Sequence, residues 1–76
     1  MNSLQATARK LVIKNHDSKV KIESSFQYGP VYVLTYTTKH ILGPGTEYTA
    51  LHVSIFRQFR DGSVAMLNDR KEIINP

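Results

Sequence analysis

The stretch Val31-Tyr32-Val33-Leu34-Thr35-Tyr36-Thr37-Thr38 decides the fold. Its residues are almost all β-branched or aromatic, and such residues favour extended backbone because they pack well on a pleated surface. The first half of the stretch is apolar on both sides, which is typical of a central strand that is covered on both faces at one end. The stretch therefore predicts a central β-strand.

Upstream of this stretch, residues 19–26 predict a strand with one apolar and one polar face. Apolar or small residues alternate with charged or polar ones, and a period of two is typical of a half-buried strand. Gly29-Pro30 separates this strand from the central one, because glycine frees the backbone and proline removes a ladder donor. We expect one face of the upstream strand to carry Val20, Ile22, Ser24 and Phe26.

Downstream, residues 46–60 fit either a helix or a strand. Leu51 and Ile55 match both periods, while Phe59 continues the helical one and Val53 the strand one. We favour the strand, because the segment is rich in β-branched residues and Asp61-Gly62 follows as a two-residue hairpin turn. Residues 63–67 then form the returning strand.

The two ends of the chain carry helix signals. Asn2 followed by Gln5 imitates a capping box, so we expect a helix that runs to about Lys14. Asp69 and Glu72 predict a short helical turn near the other end, through residues 73–74. Four apolar residues of the first helix recur at helical spacing: Leu4, Ala8, Leu11 and Val12.

Together these elements predict an α+β fold, with an N-terminal helix packed on an antiparallel meander of three to four strands. The alternative, if residues 11–14 form a strand, is a small five-stranded β-barrel with an N-terminal helix. We expect one small domain over residues 1–76, because 76 residues are too few for two independent cores.

The composition excludes several classes of protein. The chain has no cysteine, so it has neither disulfides nor thiolate metal sites. No apolar run approaches the about 20 residues that span a bilayer, and residues 1–10 lack the pattern of a secretory signal. We therefore expect a cytoplasmic protein with no membrane contact. A domain this small leaves little room for a deep active site, so we expect neither an enzyme nor a cofactor or small-molecule site.

The residues that carry chemistry form no recognisable site in the sequence. His16, His40 and His52 show no close pairing and have no cysteine or regularly spaced carboxylate beside them, so we expect no metal site. Ser54, close to His52, lacks the glycine elbow that surrounds a nucleophile. The loop at residues 42–46 lacks the spacing and the lysine of a phosphate loop, and a connection between strands explains it.

The net charge of +4 lies entirely in the N-terminal part of the chain. Residues 1–21 hold five basic residues against one acidic residue, and the remainder holds five of each sign. A localised basic segment attracts polyanions, nucleic acid first and acidic protein surfaces second, although it also suits a solvated basic face. The five basic residues are Arg9, Lys10, Lys14, Lys19 and Lys21.

Aromatic residues and arginines add a second signal. Tyr32 and Tyr36 share one face of the central strand, where they suit base stacking in a single-strand binder, with Arg57 and Arg60 as nearby cations. The commoner role of such tyrosines is at the edge of the core, with their hydroxyls in water. The same residue types are enriched at protein interfaces, and an open sheet has edges that a second copy can pair with. Our leading hypothesis is a non-catalytic protein-binding module that contacts either another protein or a second copy of itself across a sheet edge. The alternative is a basic nucleic-acid-binding protein.

Overall fold

The computed structural model describes residues 2–16 and 19–75. The strands form one antiparallel sheet in the order β1-β2-β3-β4, so each strand pairs with its neighbour along the chain. The predicted α+β meander is confirmed, with four strands. The alternative barrel does not form, because residues 11–14 belong to the helix and the sheet is open. The elements are α1 (Ser3–Asn15), β1 (Lys19–Tyr28), β2 (Val31–Gly43), β3 (Thr46–Gln58) and β4 (Val64–Asn75).

Helix α1 begins where the capping pattern predicts. The Asn2 side chain accepts a hydrogen bond of 2.9 Å from the backbone N–H of Gln5. The helix continues to Asn15, one residue past the predicted end. Among the described residues no helix is long and apolar enough to cross a bilayer. The buried residues of α1 are spaced four apart and form one stripe that faces the sheet: Leu4, Ala8 and Val12.

The core lies between α1 and one side of the sheet, which we call the covered face. Every second residue of β2 from Tyr32 to Thr38 is buried, and so is every second residue of β3 from Ala50 to Phe56. Val20, Ile22, Val64 and Met66 flank this layer from the outer strands. Burial of one large apolar side chain stabilises a fold by about 1.5–3 kcal/mol, so this layer holds the helix on the sheet.

The face predicted for β1 is wrong in the second half of the strand. Val20 and Ile22 pack against the core, as expected. A bulge after Ile22 then inserts an extra residue, Glu23, and an extra residue reverses the alternation of side chains. Phe26 consequently pairs with Val33 and lies on the side of the sheet away from α1.

The helical turn predicted over residues 69–74 is also wrong, because this segment belongs to β4. The strand pairs with β3 from Val64, opposite Gln58, to Asn75, opposite Thr49. A single helical turn fixes several residues for one hydrogen bond, whereas pairing with an existing strand satisfies backbone groups along the whole segment. The strand interpretation of residues 46–60 is confirmed by β3.

The connection between β3 and β4 is longer than the two-residue turn predicted at Asp61-Gly62. The Phe59 N–H donates to the Ser63 carbonyl at 2.8 Å, and the Gly62 N–H donates to the Phe59 carbonyl at 3.0 Å. The Asp61 carboxylate accepts hydrogen bonds from the backbone N–H and the hydroxyl of Ser63. Gly62 has a φ of +90°, which favours glycine. The turn residues are those expected, but they sit within a loop over residues 59–63.

The sheet is longer than the helix that covers it. Strands β2 and β3 have 13 residues each, as does α1. Thirteen residues span roughly 44 Å as a strand and roughly 20 Å as a helix. The molecule measures 46 Å along its longest axis. The C-terminal end of α1 therefore stands over the middle of the sheet, where His16 reaches Tyr36 of β2.

Candidate functional site

The side of the sheet away from α1, which we call the open face, is apolar and is not covered by any part of the described chain. Phe26 and Tyr28 of β1 lie on it with 62% and 76% of their surface exposed. The sequence of β2 predicts that both faces of this strand are covered at one end, yet α1 covers only one of them. The middle of the open face consists of alternate residues of β2 and β3: Val31, Val33, Thr35, Thr37, Leu51, Val53 and Ile55.

Charged residues of both signs border the open face, and none lies among those seven central residues. Lys39 and Glu47 form an ion pair with 3.3 Å between Nζ and Oε2. On the edge strand β4, the register places Arg70 beside Val53 and Glu72 beside Leu51. An apolar centre with a polar rim is the usual composition of a protein interface.

Aromatic rings and arginines gather at one end of the sheet, at the β1-β2 turn, which we call the hairpin end. The rings of Phe26 and Tyr28 stack with centroids 6.3 Å apart and an angle of 20° between their planes. The guanidinium of Arg57 lies 5.9 Å from the centre of the Phe59 ring. A shallow depression of about 550 Å³ is lined here by Pro30, Arg57, Gln58, Phe59 and Arg60. The structure therefore brings the predicted residues Arg57 and Arg60 to one surface.

The predicted stacking platform of Tyr32 and Tyr36 is wrong. The two side chains share a face, as the alternation predicts, but that face is under α1, and their exposed fractions are 1% and 0%. The Arg9 Nε donates a hydrogen bond of 3.3 Å to the Tyr32 hydroxyl, which ties the helix to β2. Strand periodicity separates the two faces of a strand but does not say which of them a helix covers. On the opposite side of the sheet, the rings of Phe26 and Tyr28 are exposed.

The predicted basic residues are divided between two sides of the molecule. Lys10 and Lys14 are exposed on α1, four residues apart. Lys19 and Lys21 are exposed on β1, where their partners Lys39 and Thr37 place them on the open-face side. The excess charge of the N-terminal segment therefore does not form one continuous patch.

Polar side chains gather on the covered face at the C-terminal end of α1; four of them are buried, whereas His16 and Asp69 are partly exposed. The helix supplies His16, and neighbouring strands supply the rest through alternation and register; Asp69 of β4, for example, pairs with Ser54 of β3. The rings of Tyr36 and His52 stack with centroids 4.8 Å apart and planes 4° apart. We call this group the polar cluster, and it comprises His16, Tyr36, Thr38, His52, Ser54 and Asp69.

Within the polar cluster, a chain of hydrogen bonds is donated from His16 through Tyr36 and Ser54 to Asp69. The hydroxyl of Ser54 donates to the Asp69 carboxylate at 2.9 Å. Because that proton is used, Tyr36 donates to the Ser54 oxygen, also at 2.9 Å, and His16 Nε2 donates to the Tyr36 oxygen at 3.2 Å. Burial raises the pKa of Tyr36 despite the lowering effect of its bond to Ser54, so the phenol keeps its proton. Nδ1 is therefore the ring nitrogen of His16 that this chain of hydrogen bonds does not use.

His52 has one bonded and one unsatisfied ring nitrogen. Its Nε2 lies 2.9 Å from the Thr38 hydroxyl, which is also 2.7 Å from Nε2 of His40. Its Nδ1 is buried without a hydrogen-bond partner among the described residues, 3.5 Å from Oδ1 of Asp69. Burial lowers the pKa of His52; the charge of Asp69 opposes this shift and His16 adds to it. The imidazole is therefore neutral near pH 7.

His16, His52 and Asp69 converge although they come from three distant parts of the chain. One donor atom of each lies within 4.8 Å of the others, and the two imidazole centroids are 4.8 Å apart. The sequence shows no regularly spaced carboxylate beside these histidines, but the fold brings Asp69 close to two of them. Alternation along β3 signals that His52 and Ser54 share a face, but nothing in the sequence places Asp69 there, because its segment imitates a helical turn.

No protein-family model matches the chain, and neither the curated proteins nor the solved structures include a significant match to it. Inferences about function rest instead on the open face, the hairpin end and the polar cluster. These regions differ in chemistry: the first is apolar, the second aromatic and cationic, and the third polar and mostly buried.

Proposed function

We propose that this chain is a non-catalytic protein-binding module that acts as a homodimer, in which the open faces of two copies pack against each other. The observation that carries the proposal is the uncovered apolar middle of the open face, with the exposed rings of Phe26 and Tyr28 beside it. Contiguous apolar surfaces of this kind are rare on monomers and typical of interaction sites. We infer that another chain provides the cover that the sequence of β2 predicts.

The size of the open face is right for such a contact. Strands about 40 Å long and ~4.8 Å apart present roughly 700–800 Å² on one side of the sheet. A standard protein interface buries about 800 Å² per partner. A chain of 76 residues also hides a modest share of its own surface, so dimerisation stabilises the fold by mass action.

The uncharged centre of the open face is compatible with a second copy as its occupant. The seven central residues carry no charge, so two open faces meet without burying an unpaired ion. The rim carries both signs, and a twofold axis places the rim of one copy against the rim of the other, where Arg70 and Glu72 offer opposite charges. Because Lys19 and Lys21 also lie on this side, basic residues outnumber acidic ones along the rim.

Sedimentation velocity over a concentration series tests this proposal. Val33 lies between Phe26 and Ile55 in the middle of the open face, so Val33→Glu buries a charge in the dimer. We expect the wild-type chain to dimerise and Val33→Glu to raise the dissociation constant on the order of 100-fold, because charges at the centre of an interface are poorly tolerated.

The matched control is Ile13→Glu, which introduces the same charge at an apolar residue of α1 that is 62% exposed. This variant should dimerise as the wild-type chain does. A wild-type chain that stays monomeric at all concentrations would overturn the proposal, as would equal effects of the two variants. Far-UV circular dichroism confirms that both variants are folded.

Nucleic-acid binding is the second candidate function, and the hairpin end is the observation that favours it. Phe26 and Tyr28 are stacked and exposed, and Arg57 and Arg60 line the adjacent depression. Exposed rings beside cations bind unpaired bases by stacking and by contact with phosphates. The basic residues of α1 and β1 are available to extend the contact along a strand.

Fluorescence anisotropy with labelled single-stranded and duplex oligonucleotides, at low and physiological salt, tests this candidate. A nucleic-acid binder should prefer single strands, with a log-log salt slope of about −3 for about four phosphate contacts. Arg57→Glu with Arg60→Glu should abolish binding, whereas Lys10→Glu with Lys14→Glu should reduce it. The absence of binding at low salt excludes this function without affecting the dimer proposal.

A further inference from the structure

We propose that His16, His52 and Asp69 form a binding site for a divalent transition-metal ion, with zinc as the ion that they match best. One donor atom of each residue lies within 4.8 Å of the others. Tetrahedral zinc ligands lie ~3.4 Å apart, so modest side-chain rotations bring all three onto one ion. Two imidazoles and a carboxylate are donors that zinc accepts, and cysteine is not required.

The unsatisfied nitrogen of His52 is the second, independent observation that points to a ligand. The residue is 2% exposed, and its Nδ1 has no hydrogen-bond partner among the described residues. Buried polar atoms almost always have a hydrogen-bond partner, because a buried donor or acceptor without one destabilises the fold. This nitrogen lies 3.5 Å from Oδ1 of Asp69, and a metal ion bound by both atoms supplies the missing partner.

Hydrogen bonds around the site prepare the donors for a cation. The Thr38 hydroxyl contacts Nε2 of His52, and when Thr38 accepts that bond, Nδ1 of His52 presents a lone pair to the Asp69 carboxylate. Two electron-rich atoms that face each other repel unless a proton or a metal cation lies between them. The Ser54 hydroxyl donates to Asp69, which is the kind of outer contact that orients a metal-binding carboxylate.

His16 completes the set from the helix. Its Nε2 donates to Tyr36, which leaves Nδ1 as the ring nitrogen available to bind an ion. Both His16 and Asp69 are partly exposed, which gives an ion a route from solvent to the buried His52. Three protein ligands leave the fourth tetrahedral position for water or for a small anion such as a carboxylate.

Calorimetric titration of zinc into chelator-treated protein, repeated with cobalt and followed by visible absorption, tests the proposal. We expect one ion per chain and a tetrahedral cobalt spectrum. Asp69→Asn retains an oxygen that accepts the Ser54 hydrogen bond but lacks the charge, and His16→Asn removes one imidazole. Each variant should weaken binding on the order of 100-fold or more, since even outer contacts contribute 10- to 100-fold.

The matched control is His40→Asn, which removes a neighbouring histidine that contacts Thr38 but offers no donor atom to the set. Its zinc affinity should stay within a few-fold of wild type. In ¹⁵N spectra of histidine side chains, zinc should change the chemical shift of Nδ1 of His52 in both the wild type and His40→Asn. Such a change is a direct sign of coordination, which a purely structural role does not produce. No zinc binding by the wild-type chain would overturn the proposal, and so would equal losses in His40→Asn and Asp69→Asn.

The metal site and the dimer are tested separately, because they lie on opposite sides of the sheet. Val33→Glu changes the open face and should bind zinc as the wild-type chain does. Asp69→Asn changes the polar cluster and should leave dimerisation unchanged. Failure of one proposal is therefore distinguishable from failure of the other.

Discussion

Strands β2 and β3 present two faces that differ in what covers them. On the covered face, every second residue from Tyr32 to Thr38 and from Ala50 to Phe56 is buried against or beneath α1. On the open face, the intervening residues are nearly as apolar but only half-buried. The difference shows that the single helix buries the apolar side chains of only one face of the sheet, and we propose that a second copy of the chain buries those of the other face.

The largest effect should come from removing the same side chain from each face. Phe56 is fully buried on the covered face, whereas Phe26 is mostly exposed on the open face. Phe56→Ala should lower the free energy of unfolding by about 3–5 kcal/mol, because it leaves a cavity as well as losing transfer energy. Phe26→Ala should cost less than about 1 kcal/mol in the monomer, as for other exposed positions.

Urea denaturation followed by circular dichroism, at a concentration where the chain is monomeric, measures both values. Phe56→Leu, with an expected cost of about 1–2 kcal/mol, serves if Phe56→Ala does not fold. Equal costs for Phe56→Ala and Phe26→Ala in the monomer would contradict the assignment of the two faces.

A smaller effect should come from removing one hydroxyl from each face. The Tyr36 hydroxyl bonds Ser54 and His16 inside the polar cluster, whereas Tyr28 is exposed on the open face. Tyr36→Phe should cost about 1–2 kcal/mol, because it leaves buried partners unsatisfied. Tyr28→Phe should change stability by less than about 0.5 kcal/mol. The same denaturation assay measures both changes in the free energy of unfolding. An unchanged stability in Tyr36→Phe would mean that the polar cluster contributes little to folding.

The smallest effect on stability should come from weakening helix α1, which covers one face of the sheet. Asn2→Ala removes the side chain that caps α1, and it should cost about 1 kcal/mol. Asn2→Ser keeps an oxygen acceptor at the cap and should recover most of that stability. Hydrogen exchange of the α1 amides should accelerate in Asn2→Ala while the β2 and β3 amides change less. Uniform acceleration across the sheet would show instead that the helix and the sheet open as one unit.

The sequence predicts the helix and the strands well, because their periods are strong and local. The alternation in β2 and the capping at Asn2 both appear in the structure as expected. Simple alternation predicts the wrong face for Phe26, because a bulge of one residue, at Glu23, leaves no clear local signal. The segment after Asp69 imitates a helix start, and only its pairing with β3 makes it a strand.

The candidate sites were harder to predict, because they depend on which strands are neighbours. Tyr32 and Tyr36 share a face in the sequence, but their burial follows from the position of α1. His16, His52 and Asp69 meet through the end of a helix and the register of two strands. Arg57 and Arg60 are close in sequence, and the structure does bring them to one depression.

The central claim is that the open faces of two copies are in contact, and an isotope-filtered nuclear Overhauser experiment on mixed labelled and unlabelled chains tests it most directly. The account predicts contacts between copies from the methyl groups of Val33, Val53 and Ile55 to the rings of Phe26 and Tyr28. Contacts confined to the edge strand β4, at Leu67 or Ile73, would contradict it and indicate pairing across the sheet edge. A complete absence of contacts between copies would leave the open face without the partner proposed for it.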